Sequence, residues 1–468
     1  MRTNSRAPVS VGRDPRGLPV TTFSRDAIAS LEHAIFGLLG HRADTAQRIQ
    51  RALALDPELI PAHCMIAFGY KCLARPEFDA AAESSLRDAQ SSLAARGGSE
   101  RERALIEALE RWCSGRPLAA AGVLRQSLRA QPRDLLTLKL HHALHFILGR
   151  SAEMREGTTL SLRSADQREP GYAYVLGCHA FALEETGDLA EAERAGRLAT
   201  ELDPFDAWGA HAVAHVLESQ DRAIEGLAFM DATAAPFAGC NNFAGHLSWH
   251  RSLFLLQLAR YDAALELYDR EIAPQLGRDY RDLCNASSLL FRLEQVGHPV
   301  GARWQALAEL ARARTGEHGS AFADAHYALS LGRAGDLSGA ARFAAAMRAA
   351  STRPGDAAAI SARSGVPVVE GIVALYEARY DDALRSLAPA LRSRELGGSN
   401  AQRELFWYLL VEAALRSERR DLARALLSER LRARPENRFA RERLADQRPK
   451  PAPHLIRDSQ PSLAALWA

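Results

Sequence analysis

The stretch YAYVLGCHAFALEETGDLAEAERAGRLATELDP, from Tyr172 to Pro204, holds two runs of apolar residues at three- and four-residue spacing, split at Thr186-Gly187-Asp188 and closed by Asp203-Pro204. That spacing puts apolar side chains on one stripe of a helix. Glycine suits the left-handed residue that ends a helix, and proline cannot continue one. The unit reads as two antiparallel helices, and neither can bury its stripe alone.

The plan recurs along the chain. RIQRALALDPELIPAHCMIAFGY changes helix at Asp56-Pro57, RQSLRAQPRDLLTLKLHHAL does so at Pro132, and LSERLRARPENRFA ends a helix at Pro435. LARYDAALELYD from Leu258 and YEARYDDALRSLAP from Tyr376 supply the turn and second helix of later units. Units of about 34 residues with small residues at fixed places in the second helix are the tetratricopeptide signature. Ala192, Ala199 and Ala264 are the small residues that let neighbouring helices approach. The pattern predicts an all-α fold, a right-handed superhelical tetratricopeptide-type solenoid of antiparallel helix pairs. Residues 1–20 are expected to form an extended N-terminal arm, 21–434 the helical repeat array and 435–468 a C-terminal extension.

Composition narrows the function classes. Hydrophobic residues make up 47% of the 468, enough for a large core, and 59 basic against 57 acidic residues leave a net charge of +2. That balance gives no electrostatic case for a nucleic-acid or membrane partner. Six scattered cysteines without a CxxC pair read as reduced thiols. Residues 1–20 hold no apolar stretch of the signal-peptide kind, and no window of 18 uninterrupted apolar residues occurs, so the expected location is cytoplasmic. No GxxxxGK[ST] or GxGxxG loop argues for a nucleotide.

Histidine carries the informative chemistry. WGAHAVAHVLE places His211 and His215 four residues apart, and NNFAGHLSWHRSLF does the same with His246 and His250. On a helix such a pair projects from one face about a turn apart, the geometry by which two imidazoles grip one metal ion or one substrate group. The two pairs lie 246 − 211 = 35 residues apart, one repeat period, on first helices, which line the concave groove of this architecture. Counted back from the following turn the registers differ, 222 − 215 = 7 residues for one pair and 262 − 250 = 12 for the other, so spacing alone does not align the faces. The competing reading is that these are interior histidines bonded to backbone or carboxylates.

Other polar residues stand where a plain solenoid needs none. FADAHYALS sets Asp324 and His326 on a first helix, and LGGSNAQRELF opens a helix at Ser399 or Asn400 with Gln402 and Arg403 in its first turn. Ser399 and Asn400 are good N-cap residues, whereas Arg403 opposes the helix dipole and calls for a carboxylate or an anionic ligand. HHALHF (His141, His142, His145) reads as structural, and Glu184, Glu185 and Glu218, at helix ends beside turns, read as solvated surface. Carboxylates to support a metal are therefore expected to be scarce near the two pairs.

These residues carry a family resemblance. DPRGLPVTTFSRDA, YAYVLGCHAFALEETGD, DAWGAHAVAHVLE, HLSWHRSLFLL, LYDREIAPQL, CNASSLLFRLEQVG, FADAHYALS and LGGSNAQRELF, in order along nearly the whole chain, resemble the tetratricopeptide repeat protein 38 family. The resemblance implies that His211, His215, His246, His250, His326 and the Asn400-Gln402-Arg403 cluster occupy the family's polar positions. It implies no established reaction. Where the family resembles HNxWH, this chain has Leu247 and Ser248.

Three functions are open at this level. One is a binding protein whose concave groove takes a peptide, a protein or a small molecule through His211, His215, His246, His250, Asp324, His326, Asn400, Gln402 and Arg403. Another is an enzyme with a His-lined site, its cofactor a divalent metal on His211, His215, His246 and His250. The third is a structural subunit with core histidines. No serine or cysteine has a recognisable activating neighbourhood.

Overall fold

The computed structural model describes residues 11–277 and 279–446. From Arg25 to Asp446 one helix follows another, and the sheet among the described residues is a single hairpin of Val11–Arg13 against Pro19–Thr21. Of the arm 1–20, residues 1–10 lie outside the described residues, and the rest is docked. Arg16 is buried between Asp14 and Glu32, donating to Asp14 Oδ2 at 3.0 Å and Glu32 Oε2 at 2.6 Å. Of the extension 435–468, Arg438–Asp446 is helical and residues 447–468 lie outside the described residues.

The helices pair as the sequence pattern predicts, and the chain is an all-α tetratricopeptide-type solenoid of antiparallel pairs. First helices open at Tyr172, Ala207, Phe243, Tyr280 and Ala321, steps of 35, 36, 37 and 41 residues. Their partners include Leu189–Leu202, Ala223–Phe237, Arg303–Ala313 and Leu337–Ala350. Ala192, Ala199 and Ala264 are fully buried at the seams. At Gly196 a β-carbon would stand 2.7 Å from Val213 and 3.0 Å from the Gly209 carbonyl, so only glycine permits that approach.

The two helix classes differ in burial. A second helix such as Leu189–Leu202 buries one stripe, Ala192, Ala195, Gly196 and Ala199, and keeps a charged outer face. In the first helix Tyr172–Glu185 every residue from Ala173 to Glu185 is buried, and in Ala207–Ser219 every one from Ala207 to Glu218. A helix buried all round needs neighbours on all sides. The superhelix supplies them by closing on itself. The Asn400–Arg416 helix lies against both Ala207–Ser219 and Tyr280–Gln295. His41 and Arg42 reach the 236–241 turn, with Asn241 N donating to His41 O at 2.7 Å. Polar residues of these two first helices are therefore enclosed instead of standing in an open trough.

One run, Asp356–Tyr376, is long and apolar enough to cross a membrane by length and composition, but 61% of its most apolar 18-residue window is buried among neighbouring helices, as in a core helix. All six cysteines are free thiols.

Candidate metal centre

His211 and His215 lie on the Ala207–Ser219 helix, started by Asp206, whose side chain accepts from the Trp208 and Gly209 amides at 3.1 Å. His246 and His250 lie on Phe243–Gln257, the next first helix. The register difference counted in the sequence is absorbed by the length of that helix, and the two pairs meet. One ring nitrogen from each of the four lies within 4.8 Å of the others. His211 Nε2 is 3.0 Å from both His215 Nε2 and His246 Nε2. The His250 ring is centred 4.9, 4.5 and 4.8 Å from those of His211, His215 and His246. Phe181, Trp208, Phe243 and Trp249 wall the cluster.

Proton bookkeeping shows what such a cluster lacks. A neutral imidazole has one N–H and one lone pair. His246 Nδ1 faces Asn285 Oδ1 at 3.0 Å and His215 Nδ1 faces Glu184 Oε2 at 3.3 Å, and both oxygens are acceptors. Each Nδ1 then carries the proton and each Nε2 a lone pair. Both lone pairs point at His211 Nε2, and one proton there can satisfy only one of them. His250 has no hydrogen-bond partner at either nitrogen, and His211 has none at Nδ1. A cation at the common point would take one nitrogen from each of the four rings. Tetrahedral ligands at about 2.1 Å stand about 3.4 Å apart, close to these contacts. Imidazoles oriented through Nδ1 by a carboxylate or an amide oxygen are the usual outer support of a metal site.

The electrostatics favour the neutral ligand form at three of the four rings. Burial lowers His246 to about 3 and takes His211 and His250 well below the ordinary imidazole value, helped by the neighbouring rings. His215 alone is raised, because Glu184, Glu185 and Glu218 outweigh its burial. These three carboxylates correct the sequence-level reading of them as solvated surface: they are 1%, 2% and 3% exposed. They also correct the expectation that carboxylates are scarce at the pairs. The signal available was their position, since an acid in the last turn of a helix opposes the dipole and needs a reason. Asn285, inside CNASSLLF, and Lys139, whose Nζ lies 3.0 Å from His41 Nε2, were not singled out by pattern. Nothing in their spacing marks them.

Asn400 and Arg403 join the centre indirectly. The Asn400 amide donates to Glu185 Oε1 at 2.6 Å, and Arg403 Nη2 lies 3.4 Å from Glu185 Oε2 and 2.8 Å from Asn400 Oδ1. Gln402 is structural, closing a capping box with Ser399. Asp324 and His326 stand apart from the four rings. Asp324 faces His318 Nδ1 at 3.4 Å, and His326 Nδ1 donates to Phe322 O at 2.7 Å. A cavity of about 540 Å³ lies beside the carboxylates, lined by Glu218, Asn400, Arg403, Glu404, Arg430 and Arg434 among others. Arg434 donates to Glu218 Oε1 at 3.1 Å and to Glu404 Oε1 at 3.2 Å.

No model of a known protein family matches the chain. Solved structures similar to it include a tetratricopeptide repeat protein from Parabacteroides merdae ATCC 43184, at 12% identity over 67% of this chain and 98% of that one, with a TM-score of 0.35. The Cut9–Hcn1 hetero-tetramer of the APC/C is similar at 14% identity over 90% and 75%, with a TM-score of 0.41. Yeast Tom70 is similar at 14% over 91% and 90%, with a TM-score of 0.36.

Proposed function

We propose that this chain is a helical-repeat binding protein of the tetratricopeptide repeat protein 38 type that holds a divalent transition-metal ion on His211, His215, His246 and His250. The observation that carries the reading is the approach of His215 Nε2 and His246 Nε2, each to 3.0 Å from His211 Nε2, with too few protons to pair them. An all-imidazole set suits zinc, copper, iron or nickel and does not suit magnesium or calcium. Four protein ligands, three of them buried and His246 partly so, describe a closed coordination sphere, the kind that binds an ion for keeps. The first helices Tyr172–Glu185 and Ala207–Ser219 are enclosed on every side, which favours a small ligand over a bound peptide. Six free thiols fit a reducing, cytoplasmic setting.

An enzyme is the second reading, favoured by the cavity of about 540 Å³ that ends on Glu218, one of the carboxylates acting on His215. The test of the first reading is elemental analysis of freshly purified protein beside a His215→Ala, His250→Ala variant, with X-ray absorption at the edge of whatever metal is found. One metal per chain, nitrogen ligands at about 2.0–2.1 Å, and loss in a variant of unchanged helicity are the expected results. Protein that carries no metal and takes up none from zinc, copper, iron or nickel solutions would sink the reading.

A further inference from the structure

Of the four rings, His215 is the one that also belongs to a second group of donors. One of its ring nitrogens and a carboxylate oxygen from each of Glu184 and Glu185 lie within 4.8 Å of one another. The side chains of His215, Glu184 and Glu185 are 0%, 1% and 2% exposed. His215 Nδ1 and Glu184 Oε2 are 3.3 Å apart, yet neither atom has a hydrogen bond aligned on it. The Nδ1 proton thus faces Glu184 without being aligned on it, and an ion bonded to both atoms would replace that misaligned contact. Glu184 and Glu185 also crowd two negative charges into the last turn of the Tyr172–Glu185 helix, where the dipole disfavours them. Arg403 and Arg394 approach Glu185 at 3.4 and 3.5 Å, and the Glu184 carboxylate faces His215.

We propose that His215 is a bridging ligand, with Nε2 on the ion of the four-histidine centre and Nδ1 on a second divalent transition-metal ion held by Glu184 and Glu185. The inference rests on the first ion being bound. When the second ion arrives it replaces the Nδ1 proton, which leaves to solvent, and the imidazolate joins both ions; metal binding releases protons in this way. The imidazolate and the two carboxylates offset the added charge. An imidazole with two carboxylates is a donor set for zinc, manganese or iron. Asn400 and Arg403, which touch Glu185, also line the cavity of about 540 Å³.

The probe is zinc alone, added in small excess to the metal-stripped full chain, with bound zinc measured after dialysis. Wild type should hold two zinc ions per chain and Glu184→Gln one, with helicity unchanged, since the amide keeps the shape of the carboxylate and removes its charge. A copper-loaded wild type should show less paramagnetic signal than its copper content, because two cupric ions couple through an imidazolate. That measurement decides the matter even if the variant fails to fold. One zinc in both proteins, or a full uncoupled copper signal, overturns the second ion and leaves the four-histidine centre standing. Two zinc ions in both proteins place the second ion elsewhere and also overturn it. No zinc in either overturns the inference and the proposed function together.

Discussion

His141 and His145 stand four residues apart and are both buried, as His211 and His215 are, and the two pairs are nevertheless in different situations. Ring centroids are 4.0 Å apart in the first pair and 4.4 Å in the second, so the rings are similarly close, though inclined at 36° in one and 73° in the other. What differs is the neighbour. Opposite His141 lies the backbone of the Ser151–Ser164 helix, where a β-carbon at Gly157 would stand 2.4 Å from the ring. Opposite His211 lies a second pair, and behind His215 lie three carboxylates. His145 spends its Nδ1 proton on the His141 carbonyl at 2.9 Å, inside its own helix. Spacing of i and i+4 therefore makes half a site, and the adjacent repeat decides whether the other half exists.

The largest expected effect separates the pairs by metal. Wild-type protein in zinc at a hundred times its dissociation constant gains about 2.7 kcal/mol over the stripped protein, and His250→Leu should lose that gain together with the metal. His141→Leu should keep both. A chelator that leaves the melting temperature of wild type unmoved would count against any difference in kind between the pairs.

Next in size is a reversal of sign. His141 and His250 each bury two ring nitrogens with no hydrogen-bond partner. Unpaired buried polar groups cost about 1–3 kcal/mol, so His141→Leu should stabilise the protein by roughly 1–2 kcal/mol in urea unfolding. If His250 also lacked an ion, His250→Leu would stabilise it just as well. Equal stabilisation by the two leucines, measured in the presence of zinc, would dissolve the comparison.

Acid should sharpen it further in the stripped protein. Burial lowers His141 to about 2, far below the unfolded value of about 6.5. Between those values the unfolded chain binds a proton that the native chain refuses, so stability falls as pH falls, by about 1.4 kcal/mol per pH unit for each such residue. The contribution is fully present above pH about 6.5 and lost on the way down. His141→Leu should thus show a shallower acid limb than wild type. His215 has the opposite sign, since its folded value is raised: its contribution is present below the unfolded value and lost as pH rises through the folded one. His215→Gln should accordingly weaken stability near pH 5 more than near pH 8. Parallel pH profiles for wild type and both variants would contradict these assignments.

How much of this was legible follows from what each level encodes. The helix pairs were legible because each boundary has a local cause, as at Gly187 and Pro204, and each seam has its alanines. The four histidines were legible because their spacing equals a helical turn and their offset equals a repeat. The carboxylates were misread for the same reason: a glutamate beside a turn is local information, and only closure of the superhelix, which brings Arg403 to Glu185 and Arg434 to Glu218 across more than two hundred residues, buries them. Asp324 and His326 repeat the lesson in reverse. They sit on a first helix like the others, but in the later repeat of Ala321–Arg333, where they face His318 and the Phe322 carbonyl instead. Residues on equivalent helices are not equivalent residues.

The smallest expected effect tests whether starting a helix and feeding the site can be told apart in one segment. Ser399 caps the Asn400–Arg416 helix, accepting from the Gln402 amide at 3.2 Å while its own amide donates to Gln402 Oε1 at 2.9 Å. Two residues along that turn, Asn400 and Arg403, hold Glu185. Ser399→Ala removes one hydrogen bond to the helix end and should cost about 1 kcal/mol with the metal content unchanged. Asn400→Ala keeps the amide that bonds Glu185 and removes the oxygen that orients Arg403, so it should leave stability nearly unmoved and weaken only what depends on the Glu185 carboxylate. If the two variants lose stability and metal in the same proportion, the segment is one structural unit. If they diverge, the helix start has been built by Ser399 and Gln402 alone, and Asn400 and Arg403 belong with the carboxylates behind His215.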